Sequence, residues 1–326
     1  MNATVTHNKF VITLIVTVLV VGGIWFFATQ NNTPLEATKV RIGFLPILAS
    51  LPLYVAEENR YFTEAGIEIE KIPFQTGEQL NDAFIRGDID IAPENTLLPV
   101  LRTELLNPGI TKVYALGDIT KETPFATLIV KNSTQINLLS DLENTKVGVF
   151  PGGTSKNLLR KFLDSQGVNT AMVEFVELPP TTQLQALSSG AIDALLAFEP
   201  TTAIAIDTGE YRKLYSGVWA AIMNHNPLGV AVISNKFIQE KPNLAKKTVE
   251  VFDKAHRFMR TNDGETRAII AKHVQLKPEI AGKVIPLYFG KNKDVDSNLL
   301  QQFIDLLADI GEVNGHVDAQ TIIYQP

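Results

Sequence analysis

The 326-residue chain contains no cysteine. That excludes disulfides, thiolate-ligated zinc, iron–sulfur clusters and thiol nucleophiles in one step. It leaves the compartment open, because an exported bacterial protein can do without disulfides. Histidine is scarce as well. His7, His225, His256, His273 and His316 form no His-Glu-x-x-His and no close pair, so the sequence offers no metal site. There is no Gly-x-Ser-x-Gly elbow for a nucleophilic serine. Basic residues never run to five or six, and the net charge is −6, so no nucleic-acid partner is expected. What the chain does have is apolar material, at 45% of residues, enough for one large domain or two modest ones.

The longest apolar run comes first. Residues 10–28 (FVITLIVTVLVVGGIWFFA) carry no charge. As a helix they would span about 28 Å, close to the hydrocarbon thickness of a bilayer. Lys9 precedes the run and Trp25 sits near its far end, which favours a cytoplasmic N-terminus with the rest outside. The run is longer than a usual signal-peptide core. Cleavage after Ala28 would put bulky Phe26 at the −3 position. A retained anchor is therefore expected, with a cleaved signal as the alternative, and the following polar stretch reads as a tether.

After the tether, strands and helices alternate. KVRIGFLP reads as a strand, SLPLYVAEENRYFTEAG as a helix closed by Gly66, and IEIEKIPF as a strand. GEQLNDAFIRG is a second helix closed by Gly87, and DIDIAPENT a third strand. The order β-α-β-α-β predicts a parallel, right-handed unit. The same order recurs from about 145, most matched positions lying 103 to 105 residues further on. TKVGVFPGG answers VRIGFLP, and LSSGAIDALLAFEPTT answers FIRGDIDIAPENT. Both of the latter carry Gly-x-Ile-Asp, an apolar run, and a glutamate beside a proline.

PFATLIVKNS (124–133) and PLGVAVISNK (227–236) flank the second unit and read as two strands crossing between lobes. The remainder is helical. Pro242 opens one helix, Asp263 is a cap for the next, and Ser297 for the last. The expected divisions are 1–37 for anchor and tether, 38–130 for a first lobe, 131–228 for a second, and 229–326 for the return with C-terminal helices. Two lobes joined by two strands can close on a ligand.

IGFLPILASLPLYVAEENRYFTEAGIEIEKIPF, GDIDIAPENT, LSDLENTKVGVFPGGTS and AIDALLAFEPTT resemble the solute-binding proteins of ABC importers. The nearest branch is the one for nitrate, aliphatic sulfonates, taurine and thiamine-type pyrimidines. The likeness runs from about 39 to 320, and its most specific part is the opening block with Pro46. It implies a two-lobed type II periplasmic-binding-protein fold, α/β, each lobe a mostly parallel sheet flanked by helices. It also implies a monomer that delivers a small molecule to permease and ATPase subunits, on the periplasmic side of the inner membrane, without a cofactor. Many relatives are soluble or lipid-anchored; the missing lipid-attachment cysteine is a departure.

Ligands of open α/β sheets sit beyond the carboxyl ends of the strands. Those ends supply the candidates Pro46, Ser50, Gln75, Thr76, Glu94 and Asn95 in the first lobe. In the second they supply Gly152, Gly153, Thr154, Ser155, Thr181, Phe198 and Glu199. Asp118, after TKVYALG, joins them. Glu94 and Glu199 either face the cleft or serve as solvated loop residues and helix caps. PGGTSKN gives a helix start suited to an anionic group, or one simply capped by Thr154 or Ser155. It is not a P-loop.

Phe44, Tyr54, Phe74, Phe150 and Phe198 are near enough to form a stacking wall. None of the candidates is lysine or arginine, which suits a zwitterion or an amine-bearing heterocycle better than a bare anion. Two other classes remain. One is a tethered sensor with a separate signalling partner. The other is a pyrimidine- or menaquinone-pathway enzyme on the same fold. Zero cysteine argues against the first of these enzymes, and the exported N-terminus against the second. His225 could reach the cleft, but a lone histidine carries no reaction.

Overall fold

The protein is represented by a computed structural model that describes residues 38–151, 153–290 and 295–325. The apolar run 10–28 and Gly152 lie outside the described residues. No helix among those described is long and apolar enough to cross a membrane.

Two five-stranded sheets share one plan. The first comprises β1 (Lys39–Phe44), β2 (Glu68–Pro73), β3 (Ile91–Thr96), β4 (Thr111–Leu116) and β10 (Gly229–Ser234), in the order β2-β1-β3-β10-β4. The second comprises β5 (Ala126–Lys131), β6 (Lys146–Val149), β7 (Glu174–Glu177), β8 (Ala194–Phe198) and β9 (Tyr211–Ser216), in the order β7-β6-β8-β5-β9. Within each sheet the first three strands run parallel. The fourth enters antiparallel between the third and the edge. The two crossing strands read from the sequence are β10 and β5. Just before them the chain segments pair with each other: Ile119 N donates to Asn226 O at 3.3 Å, and Asn226 N to Ile119 O at 2.9 Å.

The repeated Gly-x-Ile-Asp has a structural meaning. Gly87 and Gly190 are left-handed, at φ 74° and 78°, and end the helices Gly77–Arg86 and Pro180–Ser189. A side chain there would be strained. Two residues on, Ile89 and Ile192 are buried against glycines of the neighbouring strand. A Cβ on Gly43 would lie 2.6 Å from Ile89 Cδ1, and one on Gly148 would lie 2.6 Å from Ile192 Cδ1. The aspartates then clamp that strand's first residues. Asp90 Oδ2 accepts from Arg41 N at 2.8 Å, and Asp193 Oδ2 from Lys146 N at 2.8 Å. Each aspartate's own N–H returns a bond to the same residue's carbonyl.

The C-terminal helices pack on the first sheet's helices. Pro242–Thr261, with Pro242 in its first turn, lies on Leu51–Glu58 and Tyr61–Glu64. Three local expectations need correction. The helix expected up to Gly66 breaks at Arg60, which is left-handed at φ 58°. Asn262, not Asp263, takes the N-cap position of Asp263–His273. Asp296, not Ser297, caps Ser297–Asp309, accepting from Asn298 N and Leu299 N. In the last case a carboxylate one residue earlier reaches two free amides, whereas Ser297 is already helical.

Candidate ligand-binding cleft

The carboxyl ends of both sheets' parallel strands open onto one cavity of about 410 Å³. The first sheet contributes Pro46 through Ala49, beyond β1, and Glu94 and Thr96 of β3. The second contributes Phe150 and Pro151 beyond β6, Pro180 and Thr181 beyond β7, and Phe198 to Thr201 at the end of β8. Tyr54, His273 and Leu287 come in from helices and the C-terminal return, and Leu228 from the crossing segment.

Glu94 is 4% exposed, and its Oε2 has no hydrogen-bond partner. Burial pushes its carboxyl up to about 7, since removing water penalises the charged form. Glu199 is 7% exposed and also lifted by burial to about 7. It differs in having a partner: Ala203 N donates to its Oε2 at 3.3 Å. That bond and the charge of Lys213 favour its ionised form, against the burial. The two glutamates of the repeated phrase thus line one cavity from opposite sheets. Glu94 does not cap a helix through its side chain, whereas Glu199 binds the first turn of Thr201–Asp207 as well as facing the cavity.

Phe198 is the hub of an aromatic wall. Its ring lies 5.8 Å from Phe125, 5.9 Å from Phe150 and 6.1 Å from Trp219. Trp219 is fully buried, and its Nε1 has no partner. Tyr54 stacks on His273 with centroids 4.4 Å apart. Of the aromatics expected here, Phe44 and Phe74 do not line the cavity, while Phe125 and Trp219, not anticipated, do.

The helix Thr154–Ser165 begins at the cavity, with Thr154 and Ser155 in its wall. Its N-cap is Gly153, at φ 79°, and no side chain caps it. Capping by Thr154 or Ser155 is therefore not how this helix starts. Both are already inside it, and no side chain at the N-cap takes its first amides.

Other candidates are placed elsewhere. Thr76 caps Gly77–Arg86, accepting from Gln79 N at 3.2 Å, and Gln75 N donates to Gln79 Oε1. Asn95 is buried between Asn81 and the Thr96 amide. Ser50 is buried, with an unpartnered Oγ, next to the lining residue Ala49. Asp118 sits in the crossing segment, 2.7 Å from His225 Nδ1 and 3.7 Å from Arg260. His225 thus belongs with the crossing rather than the cavity.

No lysine or arginine is among the described residues that line the cavity. His273 is the one basic candidate there, and its Nε2 lies 2.9 Å from Glu58 Oε1, which also takes Lys272. Among the described residues no group of three or more histidine, cysteine, aspartate or glutamate side chains could hold a metal.

The family model described as NMT1-like matches residues 33–275, well over half of the chain. The chain belongs to the NMT1-like family. This NMT1-like chain is 25% identical, over 92% of its own length and 92% of the relative's, to an Escherichia coli (strain K12) protein named for aliphatic sulfonate binding. It is also 25% identical to the nitrate/nitrite binding protein NrtA of Nostoc sp., over 67% of its own length and 53% of the relative's, so it spans about half of that protein. Among solved structures it superposes on the alkanesulfonate-binding protein SsuA of Xanthomonas axonopodis pv. citri, bound to MOPS. The TM-score is 0.73 at 17% identity, covering 89% of this chain and 99% of that one. The fold is that of periplasmic binding proteins: α/β, two sheets flanked by helices.

Proposed function

We propose that the chain binds a small nitrogen- or sulfur-containing organic solute in the cleft and hands it to the permease and ATPase subunits of an ABC importer. The observation that carries this reading is the single cavity built jointly by the carboxyl ends of two matched sheets. Its size, about 410 Å³, falls in the range of small-molecule sites. The paired segments around Ile119 and Asn226 are the hinge, and the two sheets with their helices close over the solute. The names of the relatives support import rather than turnover.

The apolar run 10–28 keeps the chain, as a monomer, at the periplasmic face of the inner membrane. Carbonate extraction of membranes tests this: release of the mature chain into the soluble fraction ends the anchor. Binding is tested by thermal shift of the full chain against sulfonates, nitrate, pyrimidines and amines. A solute at 100 times its dissociation constant adds about 2.7 kcal/mol of stability. Small-angle scattering should then report a smaller radius with solute present. Recovery of chemically altered solute after incubation would overturn the non-enzymatic reading.

A further inference from the structure

The charge of the cavity wall is one-sided. Glu94 and Glu199 are more than nine-tenths buried in it, Glu78 stands at its exposed side, and no lysine or arginine lines it among the described residues. A sulfonate or nitrate placed there would meet two carboxylates without a fixed positive side chain. Glu94 sharpens the point. Its Oε2 is buried, accepts nothing from the protein, and belongs to a residue in the cavity wall. A buried acceptor without a donor is costly, and a ligand that brings the donor removes that cost. Glu199 receives one backbone N–H, at a long 3.3 Å, and retains further acceptor capacity. Around them stands the Phe125, Phe150, Phe198 and Trp219 wall, whose ring faces attract cations as well as apolar surface.

We propose that the cleft takes an organic cation, a protonated amine, amidine or guanidine carried on a flat apolar body, with Glu94 and Glu199 receiving the cationic nitrogen and the Phe198 wall receiving the body. This rests on the solute-binding reading above and departs from the anions in the relatives' names. The unpaired Trp219 Nε1 and the Thr154–Ser155 helix start serve an acceptor elsewhere on the same molecule.

The test is calorimetry on the full chain at pH 8. The cationic probes are benzamidine and phenethylamine, and the anionic probes are butanesulfonate, toluenesulfonate and nitrate. The cations should bind and the anions should not. Glu94→Gln and Glu199→Gln should each weaken the cations by roughly ten- to a hundredfold, the worth of one charge-assisted hydrogen bond. Circular dichroism melts should show that both variants are folded. Phe198→Leu should weaken the aryl cations while leaving the preference for positive charge.

If the anions bind instead, and bind as well or better in the Gln variants, the cation assignment falls and the solute-binding reading survives. If the cations bind but none of the three variants changes their affinity, the cleft is not the site and both readings fall. If no probe of either sign binds, the cation assignment falls as well.

Discussion

Asp90 and Asp193 hold the same place in the two halves, and hold it differently. Each clamps the first residues of the neighbouring strand through the same pair of backbone bonds. Asp90 is also buried and forks onto the Arg41 guanidinium, 2.6 Å from Nη2 and 3.2 Å from Nε. Asp193 is exposed and has only the clamp. Glu94 and Glu199, a few residues downstream, diverge too: one has no protein donor, the other has Ala203 N–H. The lesson is that the shared positions carry the fold, while their partners decide what each half does with them. The backbone clamp and the Gly–Ile contact are common to both. The carboxylates of the cleft are tuned separately.

The comparison is tested most strongly by pH. Both cleft carboxyls are raised by burial from about 4.5 to about 7. The folded, empty chain therefore holds more protons on them than the unfolded chain does between those values. Their contribution to stability is fully present below about pH 4.5 and is lost as pH rises through about 7. Glu78 and His273 also line the cavity, and Lys213 acts on Glu199, so the control must isolate the pair. Denaturant midpoints of the empty chain from pH 5 to 8 should fall less steeply in Glu94→Gln/Glu199→Gln than in the parent. Glu94→Gln and Glu199→Gln should each remove a comparable part of the slope, because both carboxyls rise over the same range. Equal slopes in parent and double variant would show that neither carboxyl is desolvated.

Next in size is the aspartate pair. Asp90→Ala leaves Arg41 without its fork and an amide without its acceptor, which should cost about 3 kcal/mol. Asp193→Ala loses one exposed, charge-assisted bond and should cost about 1 kcal/mol. Urea midpoints at constant slope measure both. Equal losses would mean that the Arg41 fork adds nothing and that the halves are energetically alike at this position.

The glycine pair makes the opposite demand. Gly43→Ala and Gly148→Ala each drive a Cβ to 2.6 Å from an isoleucine Cδ1. Overpacking of that kind costs about 1–3 kcal/mol. The two losses should match, and Ile89→Val and Ile192→Val should each recover part of the paired loss. A large inequality would show that the second strand shifts aside where the first cannot.

Much of this plan was legible in the sequence, and the reason is local. Period-two and helical patterns mark β1, β2, β3 and their counterparts, and left-handed glycines mark where Gly77–Arg86 and Pro180–Ser189 end. The repeated phrase put Glu94 and Glu199 at strand ends, and strand ends face the cleft. What was not legible depends on partners far along the chain. Asp118 also follows a strand end, but His225, 107 residues away, takes it into the crossing. Thr76 stands at a strand end and its hydroxyl is taken up in capping, while Gln75 gives its backbone N–H to Gln79 of the same helix. His273 and Leu287 reach the cavity only because the C-terminal return packs on the first sheet, and nothing near them in sequence says so. Phe125 could have been found: it lies within PFATLIVKNS, already read as a crossing strand.

The smallest expected effect concerns how firmly the halves are held together. Glu312, beyond the last long helix, is almost wholly buried and takes Arg102 of the first half at 3.1 Å. Its other oxygen accepts from Asn157 Nδ2, on the second half's Thr154–Ser165 helix. Lys283 and Asp207 make a second bridge, at 2.6 Å, between the C-terminal return and the second half. If the halves are separate bodies that hinge, these contacts bias opening more than they support either core. Glu312→Ala frees a half-exposed arginine and a partly exposed asparagine to meet water. The global cost should therefore be about 1 kcal/mol or less. The same change should widen the empty chain's distribution of radii in small-angle scattering and slow neither core's refolding. A stability loss of about 3 kcal/mol or more, with an unchanged radius, would mean that Glu312 is a core residue and that the two halves unfold as one body.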